Sequence, residues 1–74
     1  MGAKEDKQTC VFRGVLAKYK AERGLTVREI CRMLDISTGT WSNWQHDVGR
    51  VSIRDMRRLR VALQIPVEEL KEVI

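Results

Sequence analysis

The chain has 74 residues, with 14 Lys or Arg against 10 Asp or Glu, a net charge of +4 and a single proline. A chain this short makes one domain with a small core, for which helices are the most accessible route to burial; no stretch alternates as a strand would, so an all-α fold is expected. No apolar run approaches the roughly 18 residues of a membrane span, and Met1-Gly2-Ala3-Lys4-Glu5-Asp6 has neither an apolar signal region nor a myristoylation pattern, so the expected location is cytoplasmic.

In chain order, residues 1–8 are polar and charged without periodicity and are expected to form a disordered tail, leaving a domain over residues 9–74. A first helix is expected from Thr9 or Cys10 to Gly24, a residue suited to the left-handed closure of a helix. Its buried stripe is Phe12, Leu16 and Tyr19, with Val15 at the margin. Lys18, Lys20 and Arg23 lie outside, near the end where cations suit the helix dipole.

The stretch from Leu25 to Trp44 reads as two short helices joined by a turn. Thr26 caps the second helix with Glu29 three residues on, the spacing of a capping box, and Val27, Ile30, Cys31 and Leu34 recur at helical period. Asp35 breaks that pattern at a turn, where Asp tolerates a left-handed backbone better than most residues. Ile36 plugs the gap, and Ser37 caps a third helix whose inward stripe is Trp41 and Trp44. Two helices joined in this way, over residues of about 26–46, make a helix-turn-helix, which presents its second helix to the DNA major groove.

A loop over 47–51 follows, in which Gly49 is expected to supply the flexibility that Asp47 lacks. Ser52 caps a fourth helix, about 53–63, with Asp55 at the capping-box position and Ile53, Met56, Leu59 and Leu63 buried. Arg54, Arg57, Arg58 and Arg60 cover the rest of it. Ile65-Pro66 ends this helix and opens a fifth, with Glu68 and Glu69 near its positive end and Leu70 and Val73 facing the core.

Charge is unevenly spread. Residues 26–47 carry two basic and three acidic groups, residues 48–60 five basic and one acidic, and residues 61–74 one basic and three acidic. Cys10 and Cys31 do not read as a bridge, since Cys31 falls on an inward face as a small buried thiol. One His and two distant Cys make no zinc site, so neither a metal nor another cofactor is expected. No nucleophile–base pair, carboxylate dyad or glycine-rich phosphate loop appears, and the chain does not read as an enzyme.

From Leu16 to Leu70 the chain resembles the λ-repressor and Cro family of helix-turn-helix domains. The carrying residues are Leu16, Arg23-Gly24-Leu25-Thr26, Ile30, Leu34, Ile36-Ser37, Thr40-Trp41-Ser42, Ser52, Ala62-Leu63 and Glu69-Leu70. The resemblance implies a five-helix λ-repressor-like domain with its helix-turn-helix at helices two and three. It implies base contacts by Thr38, Gly39, Ser42 and Asn43, of which Asn43 is best equipped, because its amide pairs bidentately with adenine. It implies phosphate contacts by Lys20, Thr26, Arg28, Gln45, His46 and Arg50, helped by the N–H groups of Val27 and Arg28. The function implied is that of a small prokaryotic or phage transcriptional regulator, a repressor binding operator-like double-stranded DNA as a homodimer.

Three features depart from that family. Val27 stands where a phosphate-binding Gln is usual, Asp47 adds negative charge near the DNA backbone, and the third helix carries no Lys or Arg. These point to the alternative, a protein-interaction module on the same fold: an antirepressor, antitoxin or adaptor with a protein partner. Trp41 and Trp44 could stack on unpaired bases, but their spacing fits core packing better.

Overall fold

A computed structural model describes residues 7–71. The described chain is all-helical: α1 (Lys7–Arg23), α2 (Val27–Leu34), α3 (Thr38–His46) and α4 (Ile53–Leu63), with one 3-10 turn at Val48–Arg50 and another at Val67–Leu70. The helix-turn-helix is therefore α2 and α3, as expected, and α3 packs against both α1 and α2.

Sequence-encoded caps set the boundaries of α2, α3 and α4. The Thr26 hydroxyl accepts from the Glu29 N–H at 3.1 Å while the Glu29 carboxylate accepts from the Thr26 N–H at 2.8 Å, completing the capping box. Ser37 caps α3 through the Thr40 N–H at 3.0 Å, and Ser52 caps α4 through the Asp55 N–H at 3.0 Å. Each such cap stabilises its helix by about 1 kcal/mol.

Three helix ends close in the same way. Gly24, Asp35 and Gln64 are left-handed, with φ of 65°, 56° and 54°. The apolar residue after each donates its N–H back into the helix: Leu25 to Lys20, Ile36 to Cys31 and Ile65 to Arg60, at 2.9–3.1 Å. This closure satisfies carbonyls the helix cannot, and it turns Leu25 and Ile36 against the core and buries Ile65 within it.

The core joins Phe12, Leu16 and Tyr19 of α1 to Ile30, Cys31 and Leu34 of α2, Trp41 and Trp44 of α3, and Met56, Leu59 and Leu63 of α4. Val48 and Leu70, from the two 3-10 turns, complete it. The Trp rings meet at 6.4 Å between centroids with a 49° tilt, so both indoles are packing residues and stacking on unpaired bases does not apply.

Several expectations need correction. The first helix begins at Lys7, so Lys7 and Gln8 are helical and the expected tail can only concern residues 1–6, which lie outside the described residues. The fifth helix is, as far as residue 71, a four-residue 3-10 turn, and Val73 falls outside the description. Residues 47–51 are mostly a 3-10 turn rather than an open loop. Asp47 is extended there (φ −155°), its carboxylate accepts from the Gly49 N–H at 2.9 Å, and Gly49 supplies no left-handed residue. Ile53, expected inside, is 73% exposed. It shares a side of α4 with Met56, one turn before it, but periodicity does not reveal where along a helix the core stops.

Three arginines each hold the C-terminal end of another helix. Arg13 donates to the Gln45 carbonyl of α3 at 3.4 Å, Arg58 to the Leu34 carbonyl of α2, and Arg23 to the Leu63 and Gln64 carbonyls at the end of α4, both at 3.1 Å. Cations at these ends satisfy orphan carbonyls and oppose the negative pole of the helix dipole. Arg23 also lies over the Tyr19 ring at 5.6 Å, and Arg58 is steadied by Asp55 at 3.3 Å.

Candidate nucleic-acid interface

The buried pair Trp41/Trp44 fixes how α3 is rolled. At 3.6 residues per turn, Thr38, Gly39, Ser42, Asn43 and His46 then fall together on the opposite side, and all five are exposed. The four expected base-reading residues are thus brought onto one face. The Thr38, Ser42 and Asn43 side chains have no hydrogen-bond partner within the described chain, so their donors and acceptors are available to a ligand.

Gly39 has an ordinary helical backbone, and a Cβ placed on it would meet only the Ser37 hydroxyl, at 3.6 Å. The fold does not require glycine there. Its presence leaves the first turn of α3 without a projecting side chain, beside Thr38 and Ser42.

The expected phosphate contacts divide. Arg28 is exposed on α2 and unpaired among the described residues, and Lys20 is half-buried near the end of α1. Thr26 is exposed, but its hydroxyl is engaged with Glu29, accepting from the Glu29 N–H and bonding its carboxyl. The capping box engages the N–H groups of Thr26 and Glu29, leaving those of Val27 and Arg28 at the helix start. His46 is exposed at the end of α3. Arg50 is exposed and loosely paired with Asp47 at 3.9 Å.

Gln45 departs from expectation. It is half-buried, and its amide nitrogen is enclosed without a hydrogen-bond partner, so it faces inward rather than toward a DNA backbone. Its place is set by the roll of α3, which brings residues 41, 44 and 45 onto the covered side. Arg32 was not among the expected contacts, yet it is exposed one turn after Arg28 on the same side of α2. The i, i+4 spacing of two arginines was the signal available.

Two groups have displaced acidities. Hydrogen bonds from the Thr26 backbone and hydroxyl, together with the Arg32 charge, hold the Glu29 carboxyl below the usual range against slight desolvation. Burial pushes the Cys31 thiol up, and it lies 3.7 Å from the Ser37 carbonyl as a weak donor. Cys31 is therefore a packing thiol of the turn, and no disulfide joins it to Cys10. Among the described residues no three His, Cys, Asp or Glu side chains cluster as metal ligands, and no helix is long and apolar enough to cross a membrane.

A family model described as Transposase, a helix-turn-helix family, matches residues 4–74. No curated protein and no solved structure matches the chain significantly. The match agrees with the helix-turn-helix read from residues 26–46, but it does not extend to the specific kinship with λ-repressor and Cro.

Proposed function

Because the chain belongs to the transposase family of helix-turn-helix domains, we propose that it reads duplex DNA site-specifically with α3 in the major groove. The observation that carries this reading is the outer face of α3, where Thr38, Ser42 and Asn43 stand exposed and unengaged around a glycine. Asn43 reads adenine through its amide, and Thr38 and Ser42 hydrogen-bond to a base edge or phosphate. Arg28, Arg32 and Lys20 hold the DNA backbone beside α2, while His46 and Arg50 do so past the end of α3. The chain's part is recognition rather than bond making. Its family favours a role in placing a transposase at its sites; the repressor role implied by the λ-repressor resemblance would use the same contacts.

Affinity per domain is modest in this reading. Arg13, Arg23 and Arg58 are committed to helix ends, so fewer cations remain for phosphates, and each phosphate neutralised adds roughly 0.9 to the slope of log K against log salt. Dimerisation on two half-sites would compensate.

The test is fluorescence anisotropy of a labelled duplex of random sequence at about 50 and about 200 mM salt, the range in which phosphate contacts declare themselves. Binding that weakens steeply with salt is expected, and site selection from a random library then gives the target. Absence of binding at the lower salt would overturn the reading.

A further inference from the structure

We propose that the outer ridge of α4 is a self-association surface and that its occupant is a second copy of this chain. The large apolar side chains left exposed among the described residues are Met33, Ile53, Val61 and Val67, each at least half exposed. They are not scattered. Ile53 and Val67 border a groove of about 480 Å³ floored by Val51 and Met56, while Met33 and Val61 border a shallower depression of about 420 Å³. Arg57 lines both, so the two form one continuous surface along α4. Ile53, Arg57 and Val61 follow each other at four-residue spacing, which places them on one stripe of the helix. Grouped exposure of this kind, rimmed by charge, marks a contact surface rather than ordinary surface composition.

The charges select the occupant. Arg57 and Arg60 border the first groove without a carboxylate partner among the described residues, and the acid lining that groove, Asp47, already faces Arg50. Glu68, next to Val67, is exposed and likewise unpaired, whereas its neighbour Glu69 is held by Lys18 at 3.7 Å. The basic segment 48–60 and the acidic segment 61–74 therefore meet at this groove. A two-fold interface demands a patch that complements itself. Here Val67 and Glu68 of one protomer supply the apolar group and the carboxylate that the groove and arginines of its partner lack, and the reverse contact follows by symmetry. None of Thr38, Gly39, Ser42 or Asn43 lines either depression, so the pairing leaves the outer face of α3 open. This inference deepens the dimer in the proposed function and does not depend on DNA contact.

Sedimentation equilibrium from about 1 µM to about 1 mM brackets the weak association such a patch supports. Wild-type protein is expected to dimerise within this range. Val61→Glu and Arg57→Glu should each weaken dimerisation at least about tenfold, which is about 1.4 kcal/mol. Glu68→Arg should do the same alone and recover part of the loss when combined with Arg57→Glu. All three positions are on the surface, and unchanged helical circular dichroism checks the fold. A protein monomeric throughout, or a dimer indifferent to every one of these substitutions, would overturn the proposal. Failure of the DNA reading shows itself elsewhere, as loss of duplex binding in a protein that still dimerises.

Discussion

The Arg23 Nε donates to the carbonyl oxygen of Leu63 at 3.1 Å, tying the end of α1 to the end of α4 across 40 residues of chain. With its second bond to Gln64 and its position over Tyr19, this guanidinium fixes the angle at which the first and last α-helices meet. A fork of planar donors does this where an ammonium cannot, because two carbonyls must be met at once. Arg23→Lys should therefore destabilise nearly as much as Arg23→Ala. The expected loss is about 1–2 kcal/mol, the lower range for charged hydrogen bonds because the side chain is partly solvated. Urea denaturation checks it, and a Lys variant as stable as wild type would contradict the two-carbonyl role.

The helix ends show how much of this fold was legible. Gly24 and Asp35 were readable as left-handed closures because glycine adopts that conformation freely and Asp tolerates it. Gln64 was not, since nothing in glutamine favours positive φ; the apolar Ile65 behind it drives the closure by entering the core. Thr9 was invisible for a related reason. It lies 1% exposed and its hydroxyl accepts the Val48 N–H at 3.2 Å, a partner 39 residues away that no local pattern announces. The face of α3 was readable because two tryptophans at three-residue spacing set its roll. The fates of the arginines were not: Arg13, Arg23 and Arg58 look like solvated charge until other helices' carbonyls arrive beside them.

Gln64 carries the cost of its conformation. A non-glycine residue at φ 54° is disfavoured by roughly 1–2 kcal/mol, against which glycine's greater unfolded-chain freedom costs about 0.5–1 kcal/mol. Gln64→Gly should consequently raise stability by up to about 1 kcal/mol, since both Gln64 hydrogen bonds that matter are made by its backbone. Gln64→Val, with a β-branched side chain at positive φ, should lower it. Thermal denaturation of the pair gives the comparison, and a destabilised glycine variant would remove the argument from conformation.

The Glu29 carboxylate caps α2 only when ionised to full effect, and its acidity is raised by the Thr26 hydrogen bonds and Arg32. Because the folded pKa is depressed, the stabilisation is complete above the unfolded value, about 4.3 for glutamate. It declines as pH falls through the folded value. Glu29→Gln keeps an acceptor for the Thr26 N–H but cannot titrate. The variant should show a flatter fall of Tm below about pH 4.3 than wild type, and equal acid slopes would place the pH dependence elsewhere in the molecule.

If α3 reads DNA as proposed, Asn43 and Arg28 should separate by kind of effect rather than by size. Asn43 projects from the outer face of α3 with its amide unengaged, so Asn43→Ala should cost about 1–3 kcal/mol against the preferred site and far less against unrelated duplexes. Arg28 stands at the start of α2 beside N–H groups that the capping box leaves open. As a phosphate contact it reads no sequence, so Arg28→Ala should weaken binding to all duplexes alike and lower the salt slope by about 1. Anisotropy titrations of both variants on selected and scrambled duplexes, each at two salt concentrations, make the comparison. Loss of specificity in Arg28→Ala with none in Asn43→Ala would mean that α2, not α3, enters the groove.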